Sequence, residues 1–222
     1  MRKFANVWKR LIYRKPLQSR QEKWGRSWAK PNFAPEWRAH GIPEMLRKAV
    51  ESGWLPAGSS LLDIGCGAGE TAAWLAERGY RVTGIDFAPS AIARATAACQ
   101  HENLQFRVED ICRDTETDAT FDCLFDRGCL HGLPDGCMSP YVANVAQYVE
   151  TGGKFLLMHK TIPAANRGAT IVEERDLVDK KVRAYLEQAF TIERTQIIDM
   201  LTGADPDTET IHPGLAFWLV RN

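Results

Sequence analysis

From about residue 43 onward, short apolar runs alternate with stretches in which apolar positions recur every three or four residues. The first pattern reads as buried strand and the second as amphipathic helix. Ile42 to Ser52 has helical spacing, with Pro43 near its first turn. Ser60 to Ile64 is a short apolar strand that runs into Gly65-Cys66-Gly67-Ala68-Gly69. Glu70 to Arg78 is helical and stops at Gly79, a residue suited to the left-handed C-cap. The pattern then predicts a strand over Arg81 to Ile85, a helix over Ser90 to Cys99, and strands over Leu104 to Val108 and Phe121 to Phe125. It continues with a helix over Tyr141 to Val149 and a turn at Gly152-Gly153. A strand over Lys154 to His159 and a helix over Leu177 to Ala189 follow. Thr191 to Asp199 and Gly214 to Val220 form a final strand pair around a Gly-, Pro- and Asp-bearing loop. This alternation implies a Rossmann-like, doubly wound α/β fold with helices on both faces of a mostly parallel sheet.

Composition narrows the class. The chain has 222 residues, of which 45% are hydrophobic and 25% charged, as in an ordinary globular protein. That length suits one sizeable domain. Lysines plus arginines number 28 and acids number 28, so no chain-wide nucleic-acid footprint is expected. No apolar run approaches the length of a membrane span, and Lys9 and Arg10 interrupt the first apolar stretch where a cleavable signal would lie. Six cysteines without a Cys-x-x-Cys pair or zinc spacing read as reduced thiols in a cytoplasmic protein, with no metal site. A monomer or weak homodimer is expected.

The neutral total hides an asymmetry. Residues 1–24 hold eight basic side chains against Glu22 alone, a surplus of +7. Phe4, Val7, Trp8, Leu11 and Ile12 recur there at helical spacing. The preferred reading is a solvated or lid-forming arm. A membrane-surface or partner contact, or a targeting segment, is the other. Residues 1–40 are therefore taken as a basic arm plus a tryptophan-bearing lid, and residues 41–222 as the main domain.

The glycine loop carries the strongest signal. A strand that ends in glycines and opens a helix lets backbone approach a ligand closely and aims helix N–H groups at it. The dinucleotide fingerprint begun at Gly65 would need glycine at position 70, which is Glu70. A carboxylate facing a pyrophosphate has the wrong sign, so the spacing suits a ligand without phosphates. S-adenosylmethionine is such a ligand. Asp86, at the end of the second strand, can accept hydrogen bonds from a ribose diol. Asp110, at the end of the third, can meet an adenine amino edge, with Ile111 or Phe87 against the ring.

These parts together resemble the class I S-adenosylmethionine-dependent methyltransferases. The resemblance implies a seven-stranded sheet with an antiparallel last strand. It also implies a cofactor site at Asp63, Gly65, Cys66, Gly67, Gly69, Asp86, Phe87, Asp110 and Ile111. The run Asp126-Arg127-Gly128 through His131 to Pro134 is similar to the thiopurine and thiol S-methyltransferases and their tellurite-resistance relatives. So is the segment bearing Trp24, Trp28 and Trp37, which in that branch caps the cofactor. Arg38 stands where the branch often has Asp. The Asn/Asp-Pro-Pro motif of nucleic-acid amino methyltransferases and the Pro-Cys of cytosine-C5 enzymes are absent.

The implied reaction is methyl transfer to a small molecule, with a thiol or related soft nucleophile as acceptor. Nitrogen or oxygen of a secondary metabolite is the alternative, and a non-catalytic cofactor-binding domain is another. Asp126, Arg127 and His131 are the catalytic candidates. Arg127 either favours a thiolate or pairs with Asp126 to brace its loop. His131 is either a general base or a loop histidine bonded to backbone. Cys123, Cys129 and Cys137 have no ligand spacing and read as buried thiols.

Overall fold

The computed structural model describes residues 20–113, 119–161, 171–205 and 212–222. Seven strands are β1 (Ser60–Ile64), β2 (Arg81–Asp86), β3 (Leu104–Val108), β4 (Phe121–Arg127), β5 (Val149–Lys160), β6 (Phe190–Asp199) and β7 (Pro213–Arg221). They form one sheet in the order β3-β2-β1-β4-β5-β7-β6. β1 through β5 pair in parallel, whereas β7 runs antiparallel to both β5 and β6. This is the doubly wound sheet the sequence pattern predicts. The amphipathic segment within residues 1–19 lies outside the described residues. So does residues 206–211 of the loop before β7.

Residues alternate between the two faces because side chains on a strand have period two. Leu61, Val82, Phe125, Leu156 and Trp218 face α3 (Glu44–Glu51) and α4 (Glu70–Ala76). Leu62, Leu124, Phe155, Leu157 and Phe217 face α6 (Met138–Tyr148) and α7 (Ile171–Leu186). All ten of these side chains are buried. Burying one Leu or Phe is worth roughly 1.5–3 kcal/mol, so both layers hold the central strands in place.

Several element limits differ from the sequence reading, the long helix beginning at Ile171 and not at Leu177, and two of the differences shape the site. Strand β4 extends through Arg127, because Asp126 and Arg127 still pair with Leu157 and Met158 of β5. The Gly152-Gly153 turn lies within β5 as a bulge, where Phe121 pairs with Val149 but Cys123 pairs with Lys154. A Cβ on Gly153 would sit 2.8 Å from the Asp122 carbonyl oxygen, so only glycine lets the bulge close against β4.

β1 lies between β2 on one side and β4 on the other. Strand order reverses there, and open α/β sheets bind ligands in the crevice outside the carboxyl ends at such a point. Residues 20–29 are helical (α1) and are followed by α2 (Glu36–Ala39). The segment is tied to the sheet domain by side chains from both partners. Gln21 Nε2 donates to Asp110 Oδ2 at 2.5 Å, and Arg94 Nη1 donates to the Phe33 carbonyl at 3.0 Å. Ser90 Oγ donates to the Gly25 carbonyl at 3.3 Å, and Arg38 pairs with Glu70. Among the described residues no helix is long and apolar enough to cross a membrane.

Candidate active site

A cleft of about 480 Å³ opens at the carboxyl ends of β1, β2 and β4. That volume falls within the range of small-molecule sites, roughly 300–1,000 Å³. The glycine loop forms its floor. Gly65 and Gly67 have φ of +71° and +57°, a region that L side chains rarely adopt. Both are also docking points. A Cβ on Gly67 would lie 2.9 Å from Cζ2 of Trp28, and one on Gly65 would lie 2.8 Å from Cβ of Cys129. At Gly69 the neighbours are Phe106 and Ala95. The bare backbone thus seats four other elements as well as facing the cleft, a packing role the sequence pattern does not reveal.

Acidic residues line one half of the cleft. Asp63, at the end of β1, is 3% exposed, and its Oδ2 is buried with no hydrogen-bond partner. Burial, with help from Asp126, Asp86 and Glu70, holds its carboxyl up at about 8. Such a carboxyl is an acid waiting for a cation. Asp86 accepts N–H bonds from Gly67 at 3.2 Å and Ala88 at 2.9 Å, which fix its orientation at the end of β2. Burial raises it too. Asp110 accepts from the Cys112 N–H at 3.0 Å as well as from Gln21. Cys66 and Ile111 are buried, and Phe87 packs beside Trp28. Asp63, Cys66, Glu70, Asp86, Phe87, Asp110 and Ile111 all line the cleft.

Trp24, Trp28 and Trp37 line it from above. They form an edge-on cluster with Phe33: Trp24 is 5.9 Å from Trp37, and Trp28 is 5.0 Å from Phe33 between ring centroids. Such a cluster offers flat apolar surface and ring faces suited to a cation or an aromatic ring.

The catalytic candidates are brought to one end of β4 but take different roles. Asp126 is fully buried and does not line the cleft. It accepts from the Cys129 and Leu130 N–H groups at 2.7 and 3.0 Å and from the Tyr141 hydroxyl. Burial raises it to about 6, with those bonds opposing the shift. The catalytic candidate Asp126 thus anchors the loop after β4, its oxygens taken by two backbone N–H groups and the Tyr141 hydroxyl.

Arg127 does line the cleft. It does not pair with Asp126, the brace considered from the sequence. Its guanidinium donates to the carbonyls of Gly41 at 3.0 Å, Trp37 at 3.4 Å and Leu201. Nε is buried without a partner. Burial lowers Arg127 to about 10, against the pull of Asp63 and Glu70, so it remains a cation at neutral pH.

His131 lines the cleft, and its Nδ1 accepts the Lys160 N–H at 3.2 Å. That bond places the ring proton on Nε2. Burial, then His159, Lys160 and Arg20, depress it to about 3. The ring is neutral, with its one acceptor nitrogen occupied. Of the two readings the sequence leaves open, this geometry matches the loop histidine bonded to backbone, with Nε2–H left as a donor.

Several cleft residues were not anticipated as site residues: Arg20, Gln21, Glu36, Lys160, Met200, Leu201 and His212. Lys160 has a legible position, one residue after His159 at the carboxyl end of β5. Met200 and Leu201 arrive from the turn after β6, and nothing in their local pattern marks them.

The fit to S-adenosylmethionine rests on two features. The unpartnered Asp63 oxygen among other acids matches an ammonium group. The carboxylate of Asp86 beside a loop without side chains matches a ribose diol. Residues 61–153 match the family described as "Methyltransferase domain". The chain is 32% identical over 119 residues to the 2-heptyl-1-hydroxyquinolin-4(1H)-one methyltransferase of Mycobacteroides abscessus, covering 52% of this chain and 51% of that protein. It is 31% identical over 100 residues to an uncharacterized methyltransferase of Schizosaccharomyces pombe, covering 44% of this chain and 69% of the other. Among solved structures, N-methyltransferase NodS from Bradyrhizobium japonicum WM9 in complex with S-adenosyl-L-homocysteine superimposes with a TM-score of 0.65 at 21% identity, covering 93% of this chain and 99% of NodS. At that identity the likeness speaks to the fold. The chain spans about half the length of the Mycobacteroides relative.

Proposed function

The chain belongs to the S-adenosylmethionine-dependent methyltransferases, and from that premise we propose that it methylates a small molecule whose accepting atom ionises without help from a base. The observation that carries this reading is the Lys160 N–H on Nδ1 of His131. It occupies the acceptor nitrogen of the histidine best placed to take a proton.

When bound, S-adenosylmethionine supplies an electrophilic methyl group on its sulfonium. Asp63 holds the amino group of the cofactor's amino-acid tail, Asp86 the ribose hydroxyls and Asp110 the adenine edge, with Phe87 and Ile111 against the ring. Residues 20–40 act as the lid: Trp28 closes over Gly67, while Trp24 and Trp37 exclude water from the reacting atoms. Methyl transfer is an in-line displacement, so orientation and water exclusion supply much of the acceleration. Arg127 makes no carboxylate contact among the described residues, and its charge favours the anionic form of the acceptor.

A thiol fits this arrangement best. Its unperturbed pKa near ~8.5 leaves a useful thiolate fraction at neutral pH, and a nearby guanidinium enlarges it. An acidic ring hydroxyl is the second reading, favoured by the hydroxyquinolone acceptor named for the Mycobacteroides relative. The test is a rate profile over acceptors of graded acidity. His131→Ala should change turnover less than about threefold. Arg127→Ala should lower it by on the order of 10- to 100-fold, least with the most acidic acceptors. Loss of activity in His131→Ala with Arg127→Ala spared would mean base catalysis and a different class of acceptor.

A further inference from the structure

The cleft is electrically divided. Its cofactor half holds Asp63, Asp86 and Asp110, at or just beyond the ends of β1, β2 and β3, and Glu70, which is paired with Arg38. Its other half holds Arg127 at the end of β4, Lys160 at the end of β5 and Arg20 from α1. Glu36 is the one acid the described residues place on that side, and its Oε1 lies 3.8 Å from Nε2 of His212. Neighbouring charges add to the effect of burial at two groups, and Arg127 opposes them at the first. Asp63 is raised by burial and by neighbouring acids, and His131 is lowered by burial and by His159, Lys160 and Arg20.

The three cations are not equally available. Arg127 is committed to three backbone carbonyls, and Arg20 donates to the Gly132 carbonyl. Lys160 holds His131 only through its backbone N–H, and its ammonium has no ion-pair partner among the described residues. It is half-buried in the cleft wall, where a matching anion would be partly shielded from water. Leu133, Met200 and Leu201 add apolar surface to this half, beside the Glu36–His212 pair.

We propose that the methyl acceptor carries a permanent carboxylate, separate from its accepting atom, and that Lys160 is the residue that selects it. A small apolar or aromatic body carrying one carboxylate fits the cationic, apolar-walled half. This deepens the acceptor reading above and rests on that half being the acceptor site. The acceptor nucleophile itself is left to Arg127.

The test reads binding and needs no turnover. Benzoate and its neutral isostere benzamide are titrated calorimetrically into the full chain saturated with S-adenosylhomocysteine. Benzoate should bind at least about tenfold more tightly than benzamide, in line with one partly shielded charge-assisted bond. Lys160→Met should remove that preference, and Lys160→Arg should keep most of it. Neither variant should change S-adenosylhomocysteine affinity more than about twofold, which separates acceptor selection from damage to the fold. Equal binding of benzoate and benzamide, binding of neither up to millimolar concentration, or an undiminished preference in Lys160→Met would overturn the proposal. The methyl-transfer reading would survive any of these, because its own assay scores a methylated product.

Discussion

Asp63→Asn is the most informative single change in the cofactor half. The side chain sits at the end of β1, 3% exposed, with Oδ2 unpartnered and burial plus neighbouring acids holding the carboxyl at about 8. A cationic amino group needs the carboxylate, so binding must first remove a proton over much of the neutral range. Each pH unit below that value then costs about 1.4 kcal/mol, or roughly tenfold in affinity. Calorimetry with S-adenosylhomocysteine should show affinity rising between pH 6 and 8 and levelling above. Asp63→Asn removes a charge-assisted bond worth about 1.5–3 kcal/mol, so affinity at pH 8 should fall on the order of 10- to 100-fold. The pH slope should flatten, leaving wild type and variant closer at pH 6. Stability of the cofactor-free protein should move the other way. A carboxyl raised in the folded state contributes stability that is fully present below its ordinary value near 3.8 and is lost as pH rises through about 8. Asn does not titrate, so the variant should gain thermal stability relative to wild type at pH 8 and little at pH 4. An unchanged slope together with unchanged affinity at pH 8 would refute the assignment of Asp63 to the cofactor's amino group.

Gly67→Val forces a β-branched residue to φ +57° and places a Cβ 2.9 Å from Trp28. It should abolish measurable cofactor binding and expose residues 20–40 to limited proteolysis; wild-type affinity in that variant would remove the glycine loop from the site. Asp126→Ala strands the Cys129 and Leu130 N–H groups and the Tyr141 hydroxyl in a buried setting. Urea unfolding should show a loss of about 3–5 kcal/mol. Tyr141→Phe, which leaves no orphan donor, should lose only about 1 kcal/mol. Similar losses in the two variants would mean that Asp126 is not the loop's anchor.

The fold was legible wherever one local signal dominated. β1 and β3 match their predicted limits because an apolar run met a turn former at each end. β4 was read short because Asp126 and Arg127 look like loop residues, yet pairing with β5 carries the strand through them. The same polar residues explain the uneven reading of the site. Asp63, Asp86 and Asp110 could be singled out because each lies at or just beyond a strand end facing the crevice, and the roles proposed for them follow from that position. Asp126 lies next to the end of β4, but its neighbours turn back over it and Tyr141 reaches it from α6, a contact 15 residues away. The role of His131 hinged on a backbone N–H 29 residues distant. Arg127 met carbonyls from residues 37, 41 and 201, a convergence that only the folded chain displays. Local pattern reads which strand end a residue occupies; it does not read which distant group completes its hydrogen bonds.

The most direct measurement is transfer of a deuterium-labelled methyl group from S-adenosylmethionine to a panel of small aryl thiols, acidic ring hydroxyls, alcohols and amines, with products read by mass spectrometry. The account predicts labelled product from the thiols or acidic hydroxyls, with rates that follow acceptor ionisation and persist in His131→Ala. Labelled product from alcohols or amines alone, lost in His131→Ala, would contradict it.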